Sequence, residues 1–205
     1  MSGPTGRRVW VLTHPEVQVD PAVPVTQWPL SAIGARRAAA LAGGSWLDRV
    51  ASVWSSTELK ARECALLLAG SRSIQVREDL GENDRSATGF VPPEEFEELA
   101  NAFFAYPADS ARGWASAVVE QRRIVAAVEA VLASAAAGQG DVVIVSHGAV
   151  GTLLLCHLLG RAISRELDQP FQGHVFSFDR DTREVHSLWR PLEELMDRPL
   201  GRVRR

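Results

Sequence analysis

Two apolar runs in this sequence stop at a histidine: RVWVLTH ends at His14 and DVVIVSH ends at His147. One histidine at the end of a strand is ordinarily structural. Two at corresponding ends of two strands suggest a site, because open α/β sheets bind ligands outside the carboxyl ends of their strands. Between them, SSTELKARECA sets Ser55 and Ser56 at the close of a third apolar run and Lys60 in the first turns of a helix. Free N–H groups and the dipole favour an anion there. DLGEND places Glu82 in an irregular polar loop. Two imidazoles, a cation and a carboxyl group suit phosphoryl transfer through a nucleophile. A covalent intermediate divides one difficult displacement into two easier ones. Cations and donors surround the oxygens of the transferring group, and an acid protonates the departing oxygen.

These side chains need elements to hold them. Residues 8–12 read as a short strand, followed by a loop rich in Pro and Val. PLSAIGARRAAALAG reads as a helix with Ser31 as its N-cap and a Gly-Gly stop. Strands are expected at 49–54 and 73–79, with a helix between them that ends at Gly70. PPEEFEELANAFFAY opens with prolines and acids, as helix N-termini do. The next segment, from Trp114, reads as a long amphipathic helix striped by Val118, Ile124, Val125, Val128, Val131 and Leu132. DVVIVS is unbroken, as in a central strand buried on both faces, and AVGTLLLCHLLG follows it as a helix. HVFSFDRDTREVHSLW alternates on both sides of a polar turn and reads as a hairpin. This order predicts an α/β fold of three layers, a mostly parallel central sheet flanked by helices.

In order along the chain, LTHPE, LSAIGARRA, SSTELKARECA, LGENDRSATG and VVIVSHGAV resemble five signatures of the histidine phosphatases, the phosphoglycerate-mutase-like superfamily. The resemblance covers about residues 8–190. A single domain over 1–205 is expected, with 89–114 as a lid or insertion and 198–205 as a basic tail. The resemblance also implies roles. His14 is similar to the nucleophile that becomes phosphohistidine, and His147 to the second histidine that contacts the phosphoryl group. Lys60 stands at the second phosphate-binding arginine, Glu82 at the proton donor, and Gly148 where backbone passes close to the site.

The first signature departs from the family. Thr13 replaces the arginine before the nucleophile, offering one neutral hydroxyl in place of a two-pronged cation. Pro15 replaces a glycine and removes an N–H. Val17 stands where many members have threonine, Asp20 lies near the position of a phosphate-holding asparagine, and Lys60 keeps charge without the guanidinium fork. One lost charge-assisted bond costs about 1.5–3 kcal/mol. Arg85, three residues past Glu82, is the preferred replacement cation. Gln172 and His174 could also reach the site, whereas Arg62 should face elsewhere on its helix and Arg8 lies too far back.

Composition narrows the function. The formal net charge is −3, which argues against a nucleic-acid partner. Cys64 and Cys156 are far apart in apolar patterns and read as buried hydrophobes. No signal peptide or membrane-spanning run is visible, so a soluble cytoplasmic protein is expected. No cofactor or metal is expected. The expected partner is a small phosphorylated substrate; the oligomeric state is not legible. The enzyme reading is a metal-independent phosphatase acting through phospho-His14. Hydrolase is preferred to mutase, because a mutase needs several more cations around a second anion. The competing reading is a non-catalytic or weakly active phosphate-ligand-binding module on the same fold. Among the aromatic residues of the 89–114 segment, Phe90, Phe103, Phe104 and Trp114 are candidates for shaping specificity.

Overall fold

The structure, a computed structural model, describes residues 6–196; the basic tail lies outside them. Six strands form one sheet: β1 (Arg8–Thr13), β2 (Val50–Ser55), β3 (Ile74–Val76), β4 (Asp141–Ser146), β5 (His174–Asp179) and β6 (Val185–Pro191), in the order β3-β2-β4-β1-β5-β6. The first four run parallel, and the β5–β6 hairpin adds antiparallel to β1. The helices are α1 (Ala32–Ala39), α2 (Leu59–Ala69), α3 (Pro93–Ala105), α4 (Ala117–Ala133) and α5 (Gly148–Leu158). Among the described residues no helix is long and apolar enough to cross a membrane.

Alternation along β1 assigns the two faces of the sheet, since successive side chains of a strand point opposite ways. Trp10 and Leu12 pack with α1 and α2 through Ala38, Cys64, Ala65 and Leu68. Val9 and Val11 pack with α3, α4 and α5 through Phe103, Ile124, Val128 and Leu153. Every residue of β4 is buried, as its unbroken apolar run requires. Both cysteines are buried, and burial pushes the Cys64 thiol up to about 12.

Local signals account for several boundaries. Ser31 caps α1 by accepting the Gly34 N–H at 3.1 Å, and Gly70 ends α2 with φ 61°. Other boundaries differ from expectation. Helix α1 stops at Ala39, before the Gly43–Gly44 pair, and β3 spans only three residues, because it pairs only with β2 at the sheet edge. The buried face of α4 is Ala117, Glu120, Ile124, Ala127, Val128 and Val131. Val118, Val125 and Leu132 are only partly buried, because small alanines face the packed side and Glu120 turns inward to hold Arg123.

Gly34 marks a close approach. A Cβ there would lie 2.2 Å from the Glu16 carbonyl oxygen. That carbonyl accepts the Ser31 N–H at 2.8 Å, and Gln18 N–H donates to Pro29 O at 2.9 Å. Residues 18–28 therefore form an excursion with a closed base, standing beside the end of β1.

Candidate active site

Strands β1 and β4 are neighbours in register, Thr13 opposite Ser146, so the residues after them meet. The His14 and His147 rings lie edge to face with centroids 5.3 Å apart. His14 Nδ1 is 2.9 Å from the Pro15 carbonyl oxygen. A carbonyl only accepts, so Nδ1 carries the hydrogen and Nε2 keeps its lone pair. Pro15 thus works through its carbonyl, which proline retains. Burial, helped by Lys60 and Arg85, lowers the His14 pKa to about 4 against the opposing Pro15 carbonyl and Glu58. His14 is neutral at physiological pH, as a nucleophile must be. Burial also holds His147 well below its ordinary value, against the pull of Glu58.

The third strand end supplies the next group. Ser56 follows β2, donates its N–H to the Val145 carbonyl at 3.2 Å, and sets its Oγ 2.7 Å from His147 Nε2. Glu58, at the start of α2, makes no capping bond. Its Oε1 accepts the Glu82 N–H at 2.9 Å and lies 3.3 Å from His147 Nε2. Its Oε2 is paired with Lys60 Nζ, which also donates to the Val25 carbonyl at 2.9 Å. Burial alone would raise the Glu58 carboxyl, but His147, Lys60 and the Glu82 N–H hold it down at about 2. Because His147 is itself neutral, we assign that depression chiefly to Lys60.

The polar loop after β3 carries Glu82, which the family resemblance aligns with a proton donor. Glu82 accepts the Val150 N–H at 3.2 Å and the Ala149 N–H at 3.4 Å, at the N-terminus of α5. Arg123 of α4 fixes this loop by donating to the carbonyls of Asp79, Gly81 and Glu82 at 2.7–3.0 Å. Ser146 Oγ donates to the Leu80 carbonyl at 2.7 Å. Arg85 lies 3.7 Å from Glu82, with its guanidinium 5.2 Å from the centroid of Phe96 and 5.6 Å from that of Trp114. His14, Glu58, Lys60, Glu82, Arg85 and Gly148 all line one cleft of about 1990 Å³. A Cβ on Gly148 would meet Gln169 Nε2 at 2.4 Å.

Thr13 is not among the lining residues. Its buried hydroxyl donates to Gln169 Oε1 at 2.6 Å and accepts the N–H groups of Gly173 and His174 at 3.2 and 3.0 Å. It clamps the approach to β5 instead of facing a ligand. Asp20 bonds within its own turn, to the Ala22 N–H at 2.9 Å. Gln172 reaches the cleft, His174 does not, and Arg62 is exposed. Of the candidate aromatic residues, Phe90 and Phe104 line the cleft, whereas Phe103 and Trp114 belong to the core.

Three cleft residues, Glu58, Asn83 and Asp168, stand out only in the structure. Glu58 adjoins Lys60 in the same signature and could have been found by asking which acid neutralises it. Asn83 is buried, and its Nδ2 has no partner among the described residues, leaving an unused donor. Asp168 accepts from Thr152 Oγ1 at 2.9 Å and from the Gln169 N–H at 2.8 Å. Burial nevertheless raises its pKa, with Glu82 adding to the rise.

A six-stranded, mostly parallel sheet with two histidines at adjoining strand ends defines an α/β protein of the phosphoglycerate-mutase-like kind. The family model for the histidine phosphatase superfamily (branch 1) matches residues 11–188, and the chain belongs to that superfamily. Among solved structures, it is similar to a mycobacterial glucosyl-3-phosphoglycerate phosphatase in complex with inorganic phosphate, with TM-score 0.70, 20% identity, and coverage of 90% of this chain and 94% of that one. It is also similar to YhfR of Bacillus stearothermophilus, with TM-score 0.70, 22% identity, and 87% and 94% coverage. Phosphoserine phosphatase of Entamoeba histolytica in complex with 3-phosphoglyceric acid gives TM-score 0.69, 15% identity, and 89% and 96% coverage. No curated protein matches the sequence.

Proposed function

We propose that the protein is a metal-independent phosphatase that hydrolyses a small phosphomonoester through a phosphohistidine on His14. The observation that carries this reading is the bond from His14 Nδ1 to the Pro15 carbonyl, which leaves a neutral imidazole with its Nε2 lone pair available in the cleft.

In the first step Nε2 attacks phosphorus and the bond to the ester oxygen breaks. That oxygen leaves as an alcohol with a proton from Glu82. In the second step water attacks the phosphohistidine, gives its proton to Glu82, and releases phosphate and neutral His14. Lys60 and Arg85, whose charges are both felt at His14, stabilise the transferring oxygens. The unused Asn83 Nδ2 supplies a neutral donor, and His147, buried behind the cleft wall with its Nε2 against Ser56 Oγ, packs edge to face on the His14 ring. Such preorganised donors commonly account for the largest share of catalysis in phosphoryl and acyl transfer.

Convergence of His14, His147 and Glu82 supports an enzyme over a purely binding module, which would not need all three. Hydrolysis is favoured over mutase chemistry because, among the described residues, the further basic side chains of the cleft, Arg77, Arg123 and Arg165, are each paired with a carboxylate.

The test is turnover of para-nitrophenyl phosphate in the presence of a chelator. Activity should vanish in His14→Ala, and acid quench should trap an acid-labile phosphoryl group on the wild type. Equal turnover in both proteins would remove His14 from the mechanism.

A further inference from the structure

We infer that the substrate of this site is a phosphomonoester whose organic body is apolar and carries no second anionic group: an aryl or alkyl phosphate rather than a phosphorylated acid, a bisphosphate or a nucleotide. The inference rests on the phosphatase reading and deepens it.

The first ground is charge pairing. Among the described residues the cleft is lined by five basic side chains: Lys60, Arg77, Arg85, Arg123 and Arg165. Three of these are committed elsewhere. Arg77 pairs with Asp79 at 2.6 Å. Arg123 holds Glu120 and three carbonyls of the Glu82 loop. Arg165 bonds Glu97 at 2.7 Å and Asn101 at 2.6 Å. Lys60 is paired with Glu58 and the Val25 carbonyl, and Arg85 lies 3.7 Å from Glu82, but these two are the cations whose charge reaches His14, and the phosphoryl group takes both. A carboxylate or second phosphate on the substrate would meet no free cation, and it would face Glu78, Asp84 and Asp168 on the same walls.

The second ground is the mouth of the cleft. Three separate loops bring apolar side chains to it, and all three stay open to solvent: Val19 is 54% exposed, Phe90 37% and Phe171 59%. Trp28 and Phe90 meet across two of these loops with ring centroids 5.7 Å apart. Val23 and Phe96 extend the same lining inward. Apolar residues from three loops, exposed around one buried nucleophile, form a surface that gains by covering an apolar body. The excursion at 18–28 is built for this position, its base closed by the 16–31 backbone pairing.

The experiment compares kcat/KM for 1-naphthyl phosphate, methyl phosphate and 3-phosphoglycerate. In parallel, calorimetry measures binding of the non-hydrolysable benzylphosphonate, methylphosphonate and phosphonoacetate. Naphthyl phosphate should exceed both other substrates by roughly tenfold or more, the scale set by covering one aromatic face. Phe171→Ala together with Phe90→Ala should collapse the naphthyl-to-methyl ratio, mainly through KM. Phe171→Arg should raise 3-phosphoglycerate relative to naphthyl phosphate. Hydrolysis through His14 that prefers 3-phosphoglycerate would overturn the apolar-body inference and leave the phosphatase reading standing. No hydrolysis of any ester, with benzylphosphonate still bound more tightly than the other two phosphonates, would overturn the phosphatase reading and support the ligand class. Equal binding of the three phosphonates would overturn the ligand class by itself.

Discussion

Replacing Glu58 by glutamine isolates what distinguishes this site electrostatically. The wild-type carboxylate sits beside Lys60 and 3.3 Å from His147 Nε2, so it opposes any anion bound between the histidines. Glutamine keeps the shape and an oxygen that can accept the Glu82 N–H, and it removes the charge. At a separation of ~6 Å and an effective dielectric of ~20, one unit of repulsion amounts to roughly 3 kcal/mol. Inorganic phosphate should therefore bind Glu58→Gln more tightly, by a factor on the order of tens to a hundred. Folding should suffer in the opposite sense. Removing one partner of a buried ion pair costs about 3–5 kcal/mol. The lower end applies here, because Lys60 keeps the Val25 carbonyl at 2.9 Å. For a chain of this length that lowers Tm by roughly 6–12 °C. The assays are calorimetric titration with phosphate, its competition against aryl phosphate turnover, and thermal melts with and without phosphate. Added phosphate should recover more of the lost Tm in the variant than it adds to the wild type. Unchanged or weaker phosphate affinity in a folded Glu58→Gln protein would refute the reasoning, since it would place the anion beyond the reach of Glu58.

Three further predictions concern His14 and the 16–31 backbone pairing. With its pKa lowered to about 4, kcat/KM should hold from neutral pH down to an acid limb near pH 4; a limb above pH 6 would mean the imidazole is solvated. The same shift links to stability. The unfolded chain takes up a proton near pH 6.5 that the folded protein refuses, so the contribution is complete above pH 6.5 and is lost as pH falls toward about 4. It amounts to about 3 kcal/mol at most, and urea unfolding at pH 7.5 and 4.5 measures it in wild type against His14→Ala. Gly34→Ala should destabilise by about 2–3 kcal/mol, because its Cβ would fall 2.2 Å from the Glu16 carbonyl oxygen; a Tm unchanged from wild type would mean that the 16–31 pairing yields at no cost.

Much of the frame is written locally. The unbroken DVVIVS run reads as a strand covered on both faces, and alternation along RVWVLT divides β1 between two cores. Ser31 and Gly70 mark helix boundaries with chemistry that acts within a few residues. His14 and His147 were legible for the same reason: each ends an apolar run, and parallel neighbours in register bring such ends together. The family signatures reinforced that pairing.

Contacts between distant parts of the chain could not be read this way. Thr13 stands where the family has a phosphate-binding arginine, yet its hydroxyl turns to backbone N–H groups 160 residues or more away. Lys60 looked like a free cation in its helix; the fold closes Glu58 and the Val25 carbonyl onto it. Asp168 and Asn83 gave no pattern, and their environments arise only where the loops before β5 and after β3 approach α5. Sequence by itself determined the strands, the caps and the two imidazoles, because periodicity and capping are short-range. Tertiary structure alone decided how the charges near His14 are paired and which apolar side chains stand around it. Both depend on pairings and burial between segments that the chain order keeps apart.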